Sequence, residues 1–395
     1  MVPSAKNKSL EGLRILVLFP HMTLPGGALT YTLELVRQLL DEGATVAILT
    51  LRADVEKYSF PQGVQLIDMS GPVTSSLRYW LLFPLWQRRL NDKIKNWQPD
   101  VIVPQVFPSN WWGFIYKRLH PSTKLVWICH EPSAFIHSAE WIGGLKPSWK
   151  RALAHAMKHV LAPLDVFLCR YSDAIVANSN FTANLVFETY NRHVDAVAYP
   201  GIDLQFFSDV SVDKQPSLIT VAHLTRYKRV DFLLRVFAMI KEEYPDLTYH
   251  IVGDGDDIGN LKILAADLGI GSSVIFHGRL THGKVAELNS GSLLFMHGSI
   301  NETFGMAPLE AIACGTPVLA HRSGGPREFI TEDCGRLVDS LDAGVWAQEA
   351  GKCLKVFSED TDCCGNIRMG ACDFDWSLTL RPAVDIISMI ARTGK

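Results

Sequence analysis

The sequence predicts an α/β protein made of two doubly wound domains, and three observations carry that expectation. Short, continuous apolar runs alternate with stretches of helical periodicity, the pattern of parallel strands buried on both faces. The pattern stops at Tyr199-Pro200-Gly201 and begins afresh at Ser217. The chain has 395 residues, 48% of them hydrophobic, which is enough material for two cores of ordinary size.

Residues 14–19 (RILVLF) form the first expected strand, 28–40 have helical spacing closed by Gly43, and 45–50 (TVAILT) form the second strand. This is a Rossmann-like β-loop-α-β opening. Strands are expected at 64–67, 101–103, 125–129 and 174–177, and a helix at 181–190 with Ser179 as its cap. In the second half, strand 217–221 leads through a polar loop into helix 230–243. Strand 248–252, helix 258–268 and strand 274–276 follow, the last ending at Gly278. Residues 292–296 read as another strand, and 308–314 as a short helix with Pro308 at its first position and Gly315 just past its end. A last strand at 317–321 precedes Gly324-Gly325. Pro200, Gly201 and Pro216 punctuate the boundary, giving an N-terminal domain over 1–205 and a second over 206–375.

Composition excludes several classes of function. Residues 1–200 carry 20 Lys and Arg against 15 Asp and Glu, and residues 201–395 carry 18 against 26, an asymmetry expected of domains with different partners. The acidic second half and the lack of a recognition motif argue against nucleic acid. Eight cysteines without C-x-x-C spacing suggest neither a zinc ribbon nor a disulfide scaffold, and a reducing cytoplasm is the expected location. Residues 1–12 lack the apolar core of a signal peptide, and the apolar runs, such as 79–86, are too short to span a bilayer. Two basic-aromatic segments, 77–90 and 149–160, fit either peripheral contact with an anionic membrane face or ordinary amphipathic helices packed on a core. H-E-x-x-H, G-x-S-x-G and P-loop patterns are missing.

Ligands of α/β sheets bind beyond the carboxyl ends of the strands, so chemistry is expected in loops 20–27, 104–112, 130–138, 223–229, 253–257, 278–284 and 297–306. The most informative is 301–307, which joins a strand to a helix start. Free amides there favour a diphosphate; Phe304, Gly305 and Met306 are the expected donors, and Gly305 permits close approach. Glu302 and Glu310 bracket the turn. Lys228 and Arg226, after the first strand of the second half, meet the negative charge of a leaving diphosphate. His130, at a strand end, suits either a strand cap or a group that donates to a sugar hydroxyl or stabilises charge. Gly26 and Gly27 form either a tight turn or a backbone approach to a ligand, and they lack the G-x-G-x-x-G spacing of a dinucleotide fold. Arg279 either stacks on a base or faces solvent. Asp254 and Asp256 form a D-x-D string, read as part of a glycine turn and not as a metal site.

The run Glu302-Thr303-Phe304-Gly305-Met306-Ala307-Pro308-Leu309-Glu310, continued through Gly324-Gly325, resembles the E-x7-E signature of retaining glycosyltransferases of family 4. That resemblance implies a GT-B fold, with two Rossmann-like domains facing across a cleft and a C-terminal segment at 376–395 returning to the first. It also implies a nucleotide sugar as substrate, UDP- or GDP-linked, with no cofactor and no metal. Glu310 would then bind the ribose, and Glu302 with Thr303 the donor sugar. The amides of Phe304, Gly305 and Met306 with Lys228 and Arg226 would hold the diphosphate, Arg279 would line the base, Gly26 and Gly27 would approach the donor, and His130 would orient the sugar. Family patterns usually carry Arg where this chain has His223, which leaves open whether His223 or Arg226 supplies that contact. The acceptor is expected to be a glycan or lipid-linked hydroxyl. A small soluble acceptor, or a silent nucleotide-sugar-binding protein, is the alternative.

Overall fold

The computed structural model describes residues 9–23, 26–56, 58–72, 74, 76–138, 142, 148–210, 212–359 and 363–393. The chain divides into two compact units, residues 1–200 with 379–395, and residues 201–378. The boundaries lie a few residues from the expected 205 and 375. The reason is a backbone contact: Ile202 N–H donates to Phe374 O at 2.8 Å, and Ile202 bridges Asp375, so both crossing segments bond to one another within unit 2.

Unit 1 is a parallel sheet of β1 (Arg14–Leu18), β2 (Thr45–Thr50), β3 (Gln65–Asp68), β4 (Val101–Pro104), β5 (Lys124–Cys129), β6 (Ala174–Ala177) and β7 (Ala196–Val197), in the order 3-2-1-4-5-6-7. Its central strand places Ile15 opposite Val46 on one side and Val101 on the other. These residues are fully buried, as expected of strands covered on both faces. The closing helix Arg381–Arg392 packs on β5, β6 and β7, and Arg381 pairs with Glu42 at 2.7 Å.

Unit 2 repeats the plan with β8 (Ser217–Val221), β9 (Thr248–Val252), β10 (Val274–Gly278), β11 (Leu294–His297), β12 (Val318–His321) and β13 (Gly335–Val338), in the order 10-9-8-11-12-13. Both units therefore wind outward from their first strand, and in each the order reverses beside it, which creates a crevice at the carboxyl ends. Helix Val230–Glu243 buries Leu233, Val236, Phe237 and Ile240 at spacings of three, one and three, one face of an α-helix. That face joins Tyr249, Leu294 and Trp346 in one core.

Helix Ser148–Cys169 corrects the expectation that no segment is long enough to cross a bilayer: among the described residues, its part Arg151–Cys169 is long and apolar enough by length and composition. The apolar character is spread over 19 residues with only Arg151, Lys158 and Asp165 charged, so a search for unbroken apolar runs passes over it.

Candidate functional site

In unit 2 the site is assembled by close backbone approaches that only glycine allows. A Cβ on Gly298 would lie 3.0 Å from the carbonyl oxygens of Lys228 and Arg229, so the exit of β11 runs directly against the basic turn. Cβ atoms on Gly324 and Gly325 would lie 2.3 Å from Glu302 O and 2.4 Å from Phe304 Cα. Gly324-Gly325 thus clamps the Glu302 loop, and Gly325 N–H donates to Glu302 O at 2.8 Å. Phe304 anchors the same loop, its ring packed 5.3 Å from Phe329 and 5.8 Å from Phe374.

This framework puts Lys228 Nζ 2.7 Å from Glu302 Oε1, and His297 Nε2 2.9 Å from Glu302 Oε2. The Lys228 contact is a hydrogen bond; the His297 contact has ion-pair distance without hydrogen-bond alignment, so its attraction depends on a protonated imidazole. Burial pushes the Glu302 carboxyl up, but Lys228 and then His297 outweigh it and hold the group well below the usual carboxylate range. Glu302 is therefore ionised throughout the neutral range. His297 opens loop 297–306, but the sequence alone gives it no role. Its signal was a polar residue closing the apolar strand SLLFM, but the partner that gives it meaning comes from the loop beyond.

Helix Met306–Ala313 begins after Gly305, whose φ of 99° lies in the left-handed region. The expected start at Pro308 is corrected: Pro308 is the third helical residue, where it removes one of the amides that a helix start leaves unbonded. The donors that remain at the first two helical positions are Met306 and Ala307. Glu310 stands one turn inside this helix, half-buried, and burial pushes its carboxyl up to about 7. Among the described residues that carboxylate has no hydrogen bond or ion pair. The two acids of the pair are thus driven in opposite directions by their surroundings.

A consequence for stability follows from Glu310. The folded protein keeps its proton to about pH 7, while the unfolded chain releases it near 4.5, so stability falls as pH rises through that window. Glu310→Gln should remove the loss and raise stability at about pH 8 by up to about 3 kcal/mol, with no gain below about pH 4. Urea unfolding at the two pH values measures it.

Other expected residues lie elsewhere in the unit. Arg226 lines a recess of about 440 Å³ with Arg229, Asp231, Asp257, Asn260, Leu261 and Leu264, a set that does not include Glu302. His223 Nδ1 meets Asp254 O at 2.7 Å, so its ring caps the glycine turn. Arg279 Nε lies 3.8 Å from Asp254 Oδ2 with both side chains about half exposed, a loose surface pair. The glycines of Gly253-Asp254-Gly255 are there because Cβ atoms would meet Ala222 O at 1.8 Å and Leu224 O at 2.3 Å. Among the described residues no group of three or more His, Cys, Asp or Glu is placed to hold a metal ion.

In unit 1, His130 follows β5 and is buried, its Nε2 2.8 Å from Gln105 Oε1 and its ring edge-on to Tyr31 at 4.8 Å. Burial lowers its pKa to about 4, so it is neutral at neutral pH and cannot stabilise charge as an imidazolium. With the amide oxygen facing the ring, Nε2 carries the proton and Nδ1 is left as an acceptor. Gly26 precedes helix Gly27–Asp41 in extended conformation, and a Cβ there would meet nothing within 4 Å. Leu24 and Pro25, the start of that turn, lie outside the described residues. Ser179 caps helix Asn180–Tyr190, accepting from Thr182 N at 3.0 Å.

Residues 202–356 match the family described as Glycosyl transferases group 1, and residues 25–206 match Glycosyltransferase Family 4. A D-inositol 3-phosphate glycosyltransferase from Salinispora tropica is 24% identical over 399 residues, covering 91% of this chain and 80% of the relative. Among solved structures, sucrose-phosphate synthase from Thermosynechococcus elongatus superposes with a TM-score of 0.78 at 19% identity, covering 96% of this chain and all of that one. Anabaena HepE, crystallised with UDP-glucose, superposes with a TM-score of 0.72 at 19% identity, covering 95% of this chain and all of HepE. The fold shared with these enzymes is GT-B.

Proposed function

Because residues 25–206 match Glycosyltransferase Family 4 and residues 202–356 match Glycosyl transferases group 1, we propose that the chain moves a hexose from a UDP- or GDP-sugar to an acceptor hydroxyl, with retention and without a metal ion. The observation that carries this reading is the ionised Glu302 held by Lys228 beside a helix start, with the unpartnered Glu310 one turn further on. The diphosphate sits on the Gly305, Met306 and Ala307 amides, where the helix dipole favours negative charge. Lys228 turns from Glu302 toward the phosphate, and His297 stays beside Glu302. Glu302 then accepts from hydroxyls of the donor sugar, and Glu310 accepts from the ribose. The bond from the anomeric carbon to the diphosphate breaks as the bond to the acceptor oxygen forms, and the departing phosphate takes the acceptor's proton. His130 Nδ1 is available to accept from a sugar hydroxyl.

The crystallised complex of Anabaena HepE with UDP-glucose supports a nucleotide-sugar donor. The acceptor is a glycan or lipid-linked hydroxyl, met by a cytoplasmic protein at the membrane face. A small soluble acceptor is the second reading, favoured by the name of the Salinispora relative. Incubation with UDP-, GDP- and ADP-sugars in the presence of chelator tests the donor chemistry. Slow hydrolysis confined to one nucleotide class, unchanged by the chelator, is the expected result. Failure of every donor to bind or hydrolyse would leave a protein that is not the enzyme proposed.

A further inference from the structure

Helix Ser148–Cys169 turns one side inward and leaves an apolar stripe outside. Ala154, Asp165, Leu168 and Cys169 are buried, whereas Leu153, Met157, Val160, Leu164 and Phe167 are exposed, Val160 by 70%. Their spacing of four, three, four and three residues places all five along one line of the helix. Of the segment 149–160 singled out in the sequence, the side chains of Trp149 and Lys150 lie outside the described part. A second apolar edge, Leu81, Leu82 and Leu85, stands exposed beside Arg78, Arg88 and Arg89. Trp80 and Phe83 from that edge pack on the same buried cluster around Trp111 as Leu161 and Val166 of the long helix, so the two segments share one part of unit 1.

The helix cannot leave the fold to span a bilayer. Asp165 is fully buried and accepts from Trp111 Nε1, from Ser133 Oγ at 3.1 Å and from Tyr190 OH at 2.7 Å, with His137 Nε2 2.9 Å away. Extracting the helix would strip a buried carboxylate of all these partners. Asp165 is also the only acid between residues 148 and 170. Among the described residues of this helix the outward positions therefore carry no acid and include Arg151, His155, His159 and Arg170, while the guanidinium groups of Arg118 and Arg170 lie 5.6 Å from the Phe167 ring.

We propose that this face docks on an anionic lipid bilayer, with the helix lying in the headgroup plane. An apolar stripe whose own helix exposes bases and no acid suits that surface on both counts: the side chains bury in the acyl boundary, and the charges meet anionic headgroups. A second copy of the chain, the other occupant a line of this spacing suggests, would bring like charges together on both sides of the seam. The inference deepens the acceptor part of the reading above and rests on it only there, because lipid binding requires no donor.

Flotation of the full chain with phosphatidylcholine vesicles containing about 30% phosphatidylglycerol, against pure phosphatidylcholine, tests it. Binding to the anionic vesicles alone is expected, weakened by salt. Val160→Glu should lower it by at least about tenfold, whereas Ile263→Glu, a change at another well-exposed apolar residue in unit 2, should leave it intact. Absence of binding, equal binding by Val160→Glu, or a wild-type dimer that Val160→Glu dissociates would each overturn the proposal. Donor hydrolysis measured on the same samples separates this failure from failure of the transferase chemistry.

Discussion

Glu302→Ala is expected to reduce glycosyl transfer by about 10²–10³-fold, and Lys228→Ala by a similar factor. Each removes one half of a pair held at 2.7 Å on a largely buried site, so each also leaves its partner short of a counter-charge. The two losses should not add: the double variant should be little worse than either single one, because both changes abolish one coupled arrangement. They should differ in kind. Lys228→Ala should raise the donor KM as well as lower kcat, since Lys228 meets the diphosphate, while Glu302→Gln, which keeps shape and loses charge, should act mainly on kcat. Circular dichroism and thermal unfolding establish that the variants fold. Turnover near the wild-type rate in a folded Glu302→Ala protein would reject the assignment of this site.

Gly325→Ala should destabilise unit 2 by about 3 kcal/mol or more. The added methyl would sit 2.4 Å from Phe304 Cα and 2.5 Å from Thr303 O, and backbone atoms cannot swing aside as a flexible side chain does. Relief requires the Glu302 loop to move, which breaks the 2.8 Å bond from Gly325 N and loosens Phe304 from Phe329 and Phe374. Gly26→Ala is the counterpart. Its backbone is extended and its Cβ would meet nothing, so stability should stay within about 0.5 kcal/mol while activity falls if a ligand fills that space. Denaturant unfolding of both variants decides; a Gly325→Ala protein as stable as the parent would mean that the clamp is not what holds the loop.

Much of the architecture was legible because it is local. Continuous apolar strands and 3.6-residue periodicity are written in adjacent residues, and Ser217–Val221, Val230–Glu243 and Thr248–Val252 end where the sequence places them. The first turn of the short helix after Gly305 was not, because Pro308 is compatible with several positions near a helix start and only the left-handed Gly305 fixes which one it occupies. What the glycines make room for is not local. Gly253 and Gly255 yield to the Ala222–Leu224 backbone, and Gly324 and Gly325 to the Glu302 loop, neighbours that no local pattern names.

By itself the sequence determined that this chain forms two doubly wound units and that Glu302 and Glu310 flank a turn into a helix. Tertiary structure alone decided what those acids experience. Lys228 reaches Glu302 from 74 residues away, and His297 meets it because β11 and the loop beyond fold back on themselves. Glu310, one turn inside the helix that follows the loop, finds burial and, among the described residues, no cation within pairing distance. Charge state depends on distance and desolvation in space, and neither is carried by spacing along the chain.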